Sequence, residues 1–186
     1  MTDTDIKIQS RTFIVDLLEH FKLPLIAAEI GVAEGRYSSE LLHTGIEEIY
    51  LVDIWNHIPQ WEGCAGFEQG WHNINLWKVK NLFEGKENVH ILRGFSKDVC
   101  NEVPDNSLGL VYLDADHAYN SVLTDLTCWF PKLVKGGIMA GHDYRNPTYG
   151  VMQAVQDFTK DKYVVHQIDE DGNLDNMGFW FQKELK

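Results

Sequence analysis

The chain has 186 residues, which is the size of one domain with a sizeable core. Hydrophobic residues make up 44% of it and charged residues 24%, as is typical of a globular protein in water. The formal net charge of −12, from 16 basic and 28 acidic residues, argues against a broad surface for nucleic acids or anionic membranes.

Residues 1–10 are polar and acidic, without the pattern of a signal peptide, and no apolar run reaches the length of a membrane span. The three cysteines are far apart and form neither a zinc-ligand spacing nor a disulfide framework. These observations predict one cytoplasmic domain over residues 1–186, with no nucleic-acid partner and no membrane partner.

The first predicted helix covers residues 6–21, where apolar residues recur at helical spacing. Residues 25–30 predict a buried strand, which is followed by Gly31, Gly35 and an amphipathic helix. Gly31 allows a tight turn, and Gly35 lets the backbone or a ligand come close. A strand, a glycine turn and a helix form the first half of a Rossmann-like unit, in which free N–H groups of the helix face a ligand.

The turn has the spacing Glu-x-Gly-x-x-x-Gly, with Glu29 at the strand end, and lacks the G-x-G-x-x-G set typical of dinucleotide binding. A carboxylate there would repel a pyrophosphate but can accept hydrogen bonds from a ribose or an ammonium group. Taken alone, the motif also fits a plain strand-to-helix connection. A second predicted strand, 48–53, ends in Asp53, which is either a ribose ligand or a surface turn residue.

Residues 54–75 mix glycines, aromatic residues and histidines without a steady period, which predicts a long loop. Such a loop suits a lid over a site or, alternatively, an oligomer contact. His57 and His72 within it are predicted to be lid or surface histidines rather than metal ligands. The aromatic loop and the edge of the C-terminal hairpin are compatible with a homodimer.

The remaining predicted elements alternate between helices and strands and end in a hairpin. They are a helix at 76–83, strands at 89–94 and 107–114, a helix at 115–129, a strand at 136–144, a helix at 151–158, and strands at 163–168 and 178–182 joined by a turn at 169–173. This order predicts an α/β fold: a Rossmann-like doubly wound sheet, mostly parallel, with a C-terminal antiparallel hairpin strand. In such folds the site lies at the carboxyl ends of the strands.

Acidic and histidine side chains gather at the ends of the fourth and fifth predicted strands, namely Asp114, Asp116, His117, His142 and Asp143. Carboxylate oxygens gathered at one edge favour Mg²⁺, Ca²⁺ or Mn²⁺, and a histidine widens the choice to Fe²⁺ or Zn²⁺. The alternative is a set of helix caps and turn residues, above all for Asp116. His117, one helical turn past Asp114, suits a general base because a nearby cation would keep its imidazole neutral.

The order of these motifs over residues 25–181 resembles a class I S-adenosylmethionine-dependent methyltransferase. Within that class it is similar to the small metal-dependent O-methyltransferases of the catechol and macrolide-sugar types. The resemblance implies that the first turn holds the methionine part of S-adenosyl-L-methionine, the second-strand acid its ribose, and residues 94–97 its adenine. The implied cofactor-binding residues are Glu29, Gly31, Gly35, Ser38, Asp53, Trp55, Ser96, Lys97 and Asp114.

The resemblance also implies a divalent metal, Mg²⁺ or Mn²⁺, on Asp114, His142 and Asp143, and a catalytic base at His117. His142 stands where the family usually has a carboxylate or an amide, which leaves the identity of the metal, and the need for one, open. The expected reaction is methylation of an oxygen on a small acceptor: a sugar, a polyol or a phenol. A metal-dependent hydrolase and a non-catalytic nucleoside-binding module are the alternatives.

Overall fold

The computed structural model describes residues 13–59, 63–160, 162–168 and 178–183. The strands are β1 Ile26–Ile30, β2 Glu48–Asp53, β3 Val89–Arg93, β4 Leu108–Leu113, β5 Leu133–Gly141, β6 His166–Ile168 and β7 Gly178–Gln182. The helices are α1 Phe13–His20, α2 Arg36–Thr44, α3 Gln69–Leu82, α4 Ser96–Val99, α5 Tyr119–Trp129 and α6 Val151–Thr159. None of these described helices has both the length and the apolar character needed to cross a bilayer.

The strands form one seven-stranded sheet in the order β3-β2-β1-β4-β5-β7-β6. Strands β1 to β5 pair in parallel, whereas β7 runs antiparallel to β5, and β6 runs antiparallel to β7. The predicted Rossmann-like sheet with an antiparallel C-terminal pair is confirmed. Strand order reverses between β1 and β4, and such a switch point is where sheets of this kind bind ligands.

Helices cover both faces of the sheet, as the two alanines of β1 illustrate. Ala27 and Ala28 are both fully buried but belong to different apolar clusters. Helices α1, α2 and α3 contribute to the cluster of Ala27, and α4, α5 and α6 to that of Ala28. Burial on both faces explains why the central strands are almost continuously apolar, and it holds their carboxyl ends in place.

Helix α3 begins at Gln69, so the prediction of a loop over 54–75 is wrong from residue 69 onward. The buried positions of this helix are His72, Asn75 and Val79, which share one helical face. Two of the three are polar, and the apolar periodicity that indicates a helix is therefore missing. Packing against the rest of the domain, rather than a local apolar pattern, determines that the helix begins at Gln69.

Smaller boundary differences surround the carboxyl edge of the sheet. Helix α5 begins at Tyr119, later than predicted, so His117 lies in a loop and not one helical turn past Asp114. Strand β5 ends at Gly141, which places His142 and Asp143 in the loop that follows it. Strand β6 begins later than predicted, at residue 166, and the turn predicted at 169–173 lies outside the described residues.

Gly31 directly follows β1, at the point where it lies against the backbone that follows β4. Its φ of +96° lies in the left-handed region that favours glycine. A Cβ on Gly31 would lie 2.1 Å from the carbonyl oxygen of Asp114 and 2.7 Å from the Cα of Ala115. These are backbone atoms, which cannot rotate away as a side chain can. The turn after β1 and the loop after β4 are therefore in direct contact.

We expect Gly31→Ala to lower the free energy of unfolding by about 2–4 kcal/mol, since it combines a clash against backbone with an unfavourable φ. Urea unfolding followed by circular dichroism measures the change. Gly70→Ala is the control: a Cβ there meets no atom within 4 Å, and alanine in a helix should stabilise by up to about 1 kcal/mol. An unchanged midpoint for Gly31→Ala would contradict the close approach.

Candidate functional site

Four neighbouring strands bring the predicted site residues to one edge of the sheet. Strands β1 and β4 are adjacent at the switch point, with β2 beside β1 and β5 beside β4. The turn after β1 and the segment after β2 form one side of the candidate site. The loops after β4 and β5 form the other side.

The carboxylate of Asp53, at the end of β2, organises the turn after β1. Its Oδ2 accepts hydrogen bonds from the backbone N–H groups of Val32 and Ala33, at 3.1 and 2.9 Å. Its Oδ1 accepts one from the N–H of Trp55 at 2.8 Å. Asp53 therefore has a structural role that sequence analysis did not predict, and Oδ1 retains a lone pair for a ligand hydroxyl.

Trp55, in the segment after β2, also contacts the turn after β1. Its indole is fully buried within the apolar core, and the indole N–H donates a hydrogen bond to the carbonyl of Ala33 at 2.8 Å. The carbonyl of Trp55 accepts hydrogen bonds from Arg93 at 3.0 Å and from Gln69 at 3.3 Å. The structure thus places the predicted cofactor residue Trp55 against the turn, with its ring in the protein interior.

Glu29 and Ser38 form a buried pair beside the turn. The hydroxyl of Ser38 donates a hydrogen bond to the carboxylate of Glu29. The family resemblance puts Ser38 near a ligand carboxylate, yet here its hydroxyl is engaged by Glu29. A larger residue at position 35 would crowd its neighbours: a Cβ on Gly35 would lie 3.2 Å from side-chain atoms of Val79 in α3 and of Phe83, which follows α3.

Ser96, the first residue of α4, is tied to α5 by a hydrogen bond that its hydroxyl donates to Asp125. Burial raises the pKa of Asp125 to about 6, although the hydrogen bond from Ser96 acts in the opposite direction. Sequence analysis missed Asp125, and the available signal was an acid inside the buried stripe that contains Val122 and Leu126. Lys97, which was also predicted, has an exposed side chain.

An open recess of about 230 Å³ lies between the segments that follow β2 and β3. Its lining residues are Ile54, Asn56, Ile58, Arg93, Gly94 and Phe95. Gly94 and Phe95 belong to the segment that the family resemblance assigns to the adenine. The recess adjoins the Asp53–Trp55 segment, which is hydrogen-bonded to the glycine turn.

On the other side of the switch point, two carboxylates and two imidazoles form an acid–histidine cluster: Asp114, His117, His142 and Asp143. The Nε2 of His117 lies 3.0 Å from Oδ2 of Asp143 and 3.6 Å from Oδ1 of Asp114. The Nδ1 of His142 lies 3.0 Å from the same Oδ2 of Asp143 and 3.9 Å from Oδ1 of Asp114. The structure therefore brings together the four residues predicted for metal binding and base catalysis.

Charges within the cluster determine its protonation. Burial would lower the pKa of His117, but hydrogen bonds and charges of Asp114 and Asp143 raise it from 6.5 to about 9. Burial would raise the pKa of Asp143, yet the two imidazoles hold it well below its usual range. With no cation nearby, this pKa makes His117 an imidazolium at neutral pH; the neutral base expected from the sequence depends on a cation beside it.

The cluster fits a divalent cation in chemistry and in size. One donor atom from each of Asp114, His117 and Asp143 lies within 4.8 Å of the others. Carboxylate oxygens with an imidazole nitrogen suit Mn²⁺ and can bind Mg²⁺. The Nε2 of His142, the predicted third ligand, is buried without a hydrogen-bond partner among the described residues. His117 is thus positioned either to join these donors or to act as the predicted base.

The loops around the cluster contain one predicted cap and one residue that sequence analysis missed. Asp116 accepts hydrogen bonds from the N–H of Ala118 at 3.2 Å and the hydroxyl of Ser121 at 2.5 Å, and so links the loop to the first turn of α5. The N-cap position of α5 is Ala118, with no side-chain cap hydrogen bond, so the prediction that Asp116 caps the helix is wrong. The ring of Tyr149 stacks on the imidazole of His117, with centroids 4.5 Å apart and planes at 16°. No local sequence pattern connects Tyr149 with His117.

We expect the metal-free chain to lose stability as the pH rises from 6.5 to 9. The pKa of His117 is raised by folding, so its ion pairs stabilise fully below pH 6.5 and are lost as the pH passes about 9. Urea unfolding in EDTA should show a fall of roughly 1–3 kcal/mol. His117→Asn should remove this fall, whereas His43→Asn, at an exposed position on α2, should keep it. Equal falls in both variants would contradict the assignment.

Comparison with known families shows which family of proteins the chain resembles. A family model described as "Methyltransferase domain" matches residues 28–144. The match includes the glycine turn, Asp53 and the whole acid–histidine cluster. The uncharacterized protein y4gI of Sinorhizobium fredii is 26% identical over 144 residues, which are 75% of this chain. The chain spans only 14% of the length of that curated relative.

Solved structures share the fold, at identities below 25%. The O-methyltransferase NovP has a TM-score of 0.67 and 23% identity, covering 93% of this chain and 77% of its own. The calicheamicin methyltransferase CalS11 has a TM-score of 0.64 and 15% identity, covering 93% and 80%. Fibrillarin of Aeropyrum pernix, solved with natively bound S-adenosyl-L-methionine, has a TM-score of 0.59 and 14% identity, covering 86% and 68%. Because the family model covers more than half of the chain, the chain belongs to the methyltransferase-domain family.

Proposed function

We propose that the chain transfers a methyl group from S-adenosyl-L-methionine to an oxygen of a small hydroxylated acceptor, such as a sugar, a polyol or a phenol. The observation that carries the proposal is the backbone contact between Gly31 and Asp114, which joins the glycine turn to the acid–histidine cluster. A cofactor on the turn and an acceptor at the cluster would then lie side by side, as an in-line transfer requires.

The names of two structural neighbours support an oxygen acceptor. NovP is an O-methyltransferase, and CalS11 is described as a TDP-rhamnose 3′-O-methyltransferase. The acid–histidine cluster alone would also suit a metal-dependent hydrolase. That alternative does not account for the glycine turn with its Asp53 partner, and the family match favours methyl transfer.

The cofactor would lie along the edge formed by β1, β2 and β3. Bound there, S-adenosyl-L-methionine supplies a methyl group that is already activated by its sulfonium. Glu29, Gly31 and Gly35 would shape the place of its amino-acid part. The remaining lone pair of Asp53 Oδ1 would accept a hydrogen bond from a ribose hydroxyl. The recess lined by Phe95 has room for the adenine ring.

Asp114 and Asp143 would hold a divalent cation, with an imidazole of the cluster as a further donor. Bound there, the cation would lower the pKa of an acceptor hydroxyl and offset the negative charge that keeps His117 protonated. The two carboxylates approach from adjacent strands, so the sheet itself sets their separation.

His117 would take the proton from the acceptor hydroxyl. Its Nε2 lies at the centre of the cluster, within 3.0 Å of Asp143, and the stacked ring of Tyr149 limits rotation of the imidazole. A positioned imidazole is an effective base at neutral pH once its proton has been lost. Residues 54–59, joined to α3 through the hydrogen bond from the N–H of His57 to Gln69 at 3.0 Å, would cover the acceptor and exclude water.

Methyl transfer itself tests the proposed function. With methyl-labelled S-adenosyl-L-methionine, Mn²⁺ and a panel of nucleotide sugars, polyols and catechols, we expect label in an ether product. His117→Asn should slow the transfer by roughly 10²–10⁴-fold, the usual contribution of a general base. His43→Asn is the matched control, because this exposed histidine lies away from the cluster.

Calorimetry with S-adenosylhomocysteine is the companion measurement. Binding in the micromolar range is expected with or without metal. Absence of binding would refute the proposed function, whereas binding without transfer to any acceptor would favour the non-catalytic nucleoside-binding module.

We expect Mn²⁺ to bind the wild-type chain. We expect Asp114→Asn and Asp143→Asn each to weaken Mn²⁺ binding by at least about tenfold, because a ligand carboxylate is lost. Electron paramagnetic resonance of free Mn²⁺ measures the affinity. Asp116→Asn is the control, since Asp116 is engaged at the start of α5. His117→Asn should retain Mn²⁺; its loss in that variant would make His117 a metal ligand and contradict its role as the base.

A further inference from the structure

His72 of α3 has no part in the site described above, and its environment is unusual. Its side chain is 2% exposed, and neither ring nitrogen has a hydrogen-bond partner among the described residues. The sequence predicted a lid or surface histidine, and the surface alternative is wrong. An unpaired buried polar group costs free energy, so it is expected where a ligand or an ordered water completes the hydrogen bonding.

Two contacts of α3 locate His72 beside the glycine turn. Further along the same helix face, a side-chain carbon of Val79 lies 3.2 Å from the position of a Cβ on Gly35. At the start of the helix, the side chain of Gln69 donates a hydrogen bond to the carbonyl of Trp55 at 3.3 Å. Since His72 lies between these two contacts, its face of the helix packs toward Trp55 and the glycine turn.

The donors of the turn itself are already in use. The N–H of Gly31 donates to a carbonyl of β2, and the N–H of Gly35 donates to a carbonyl within the turn. The N–H groups of Val32 and Ala33 donate to Asp53. The hydroxyl of Ser38 donates to Glu29. Besides the first N–H groups of α2, any donor to a carboxylate bound at this turn would have to come from another element.

We propose that His72 donates a hydrogen bond to the carboxylate of the cofactor's amino-acid part. The inference rests on the proposed function, because that function places the amino-acid part at the glycine turn. An imidazole N–H can donate to a carboxylate in the neutral and in the charged state. Helix α3 would thereby favour nucleosides with a carboxylate tail over nucleosides without one.

Two nucleosides that differ in this tail test the role of His72. S-adenosylhomocysteine has the carboxylate, and 5′-methylthioadenosine lacks it. By calorimetry, we expect His72→Phe to lower the affinity for S-adenosylhomocysteine by about 10–100-fold, which is the effect of losing a hydrogen bond to a charged group. The same variant should leave the affinity for 5′-methylthioadenosine unchanged. His43→Phe should change neither affinity.

Equal losses for both nucleosides, or no loss for S-adenosylhomocysteine, would overturn the role of His72 and leave the proposed function intact. A wild-type chain that binds neither nucleoside would refute both. A second measurement needs no variant: in the wild-type chain with ¹⁵N-labelled histidine, only S-adenosylhomocysteine should shift the ring nitrogens of His72. An equal shift with 5′-methylthioadenosine would refute the contact.

Discussion

The structure depends on the close approach of Gly31 to the backbone of Asp114 at the switch point of the sheet. Strands β1 and β4 are hydrogen-bonded neighbours, so the chain that leaves β1 must pass directly beside the chain that leaves β4. Any side chain at Gly31 would push the two apart. Because Gly31 has no side chain, the glycine turn and the loop that begins the acid–histidine cluster are in direct backbone contact. The proposed donor and acceptor sites are therefore adjacent.

Carboxylates at this edge fall into two groups that differ in their partners. Asp53 accepts three backbone N–H groups, and Glu29 accepts a serine hydroxyl, so neutral donors fix both in position. Asp114 and Asp143 face imidazoles, whose charge depends on pH. In the proposed function, the charge of a cation would take its place. The first group would then shape the place for a nucleoside, and the second would form the part of the site whose charge can change.

Elements with a clear local pattern and the common edge of the parallel strands were predicted well, whereas specific hydrogen-bonded pairs from different elements were not. Alternating apolar runs indicated the strands, and the acids that follow them indicated the edge where a site forms. Asp125 was missed because its partner Ser96 lies on another helix. Helix α3 was assigned too late because the buried face at His72 and Asn75 is polar, so its periodicity showed only once packing was known.

The sequence by itself determined the fold class, the family resemblance and the gathering of Asp53, Asp114 and Asp143 at strand ends. These follow from local pattern and from the rule that parallel strands end at one edge. Only the tertiary structure decided distances and partners: that His117 lies in a loop between two carboxylates, which raise its pKa, and that Ser38 is engaged by Glu29. Such properties depend on atoms far apart in the chain, and folding alone brings them within hydrogen-bond range.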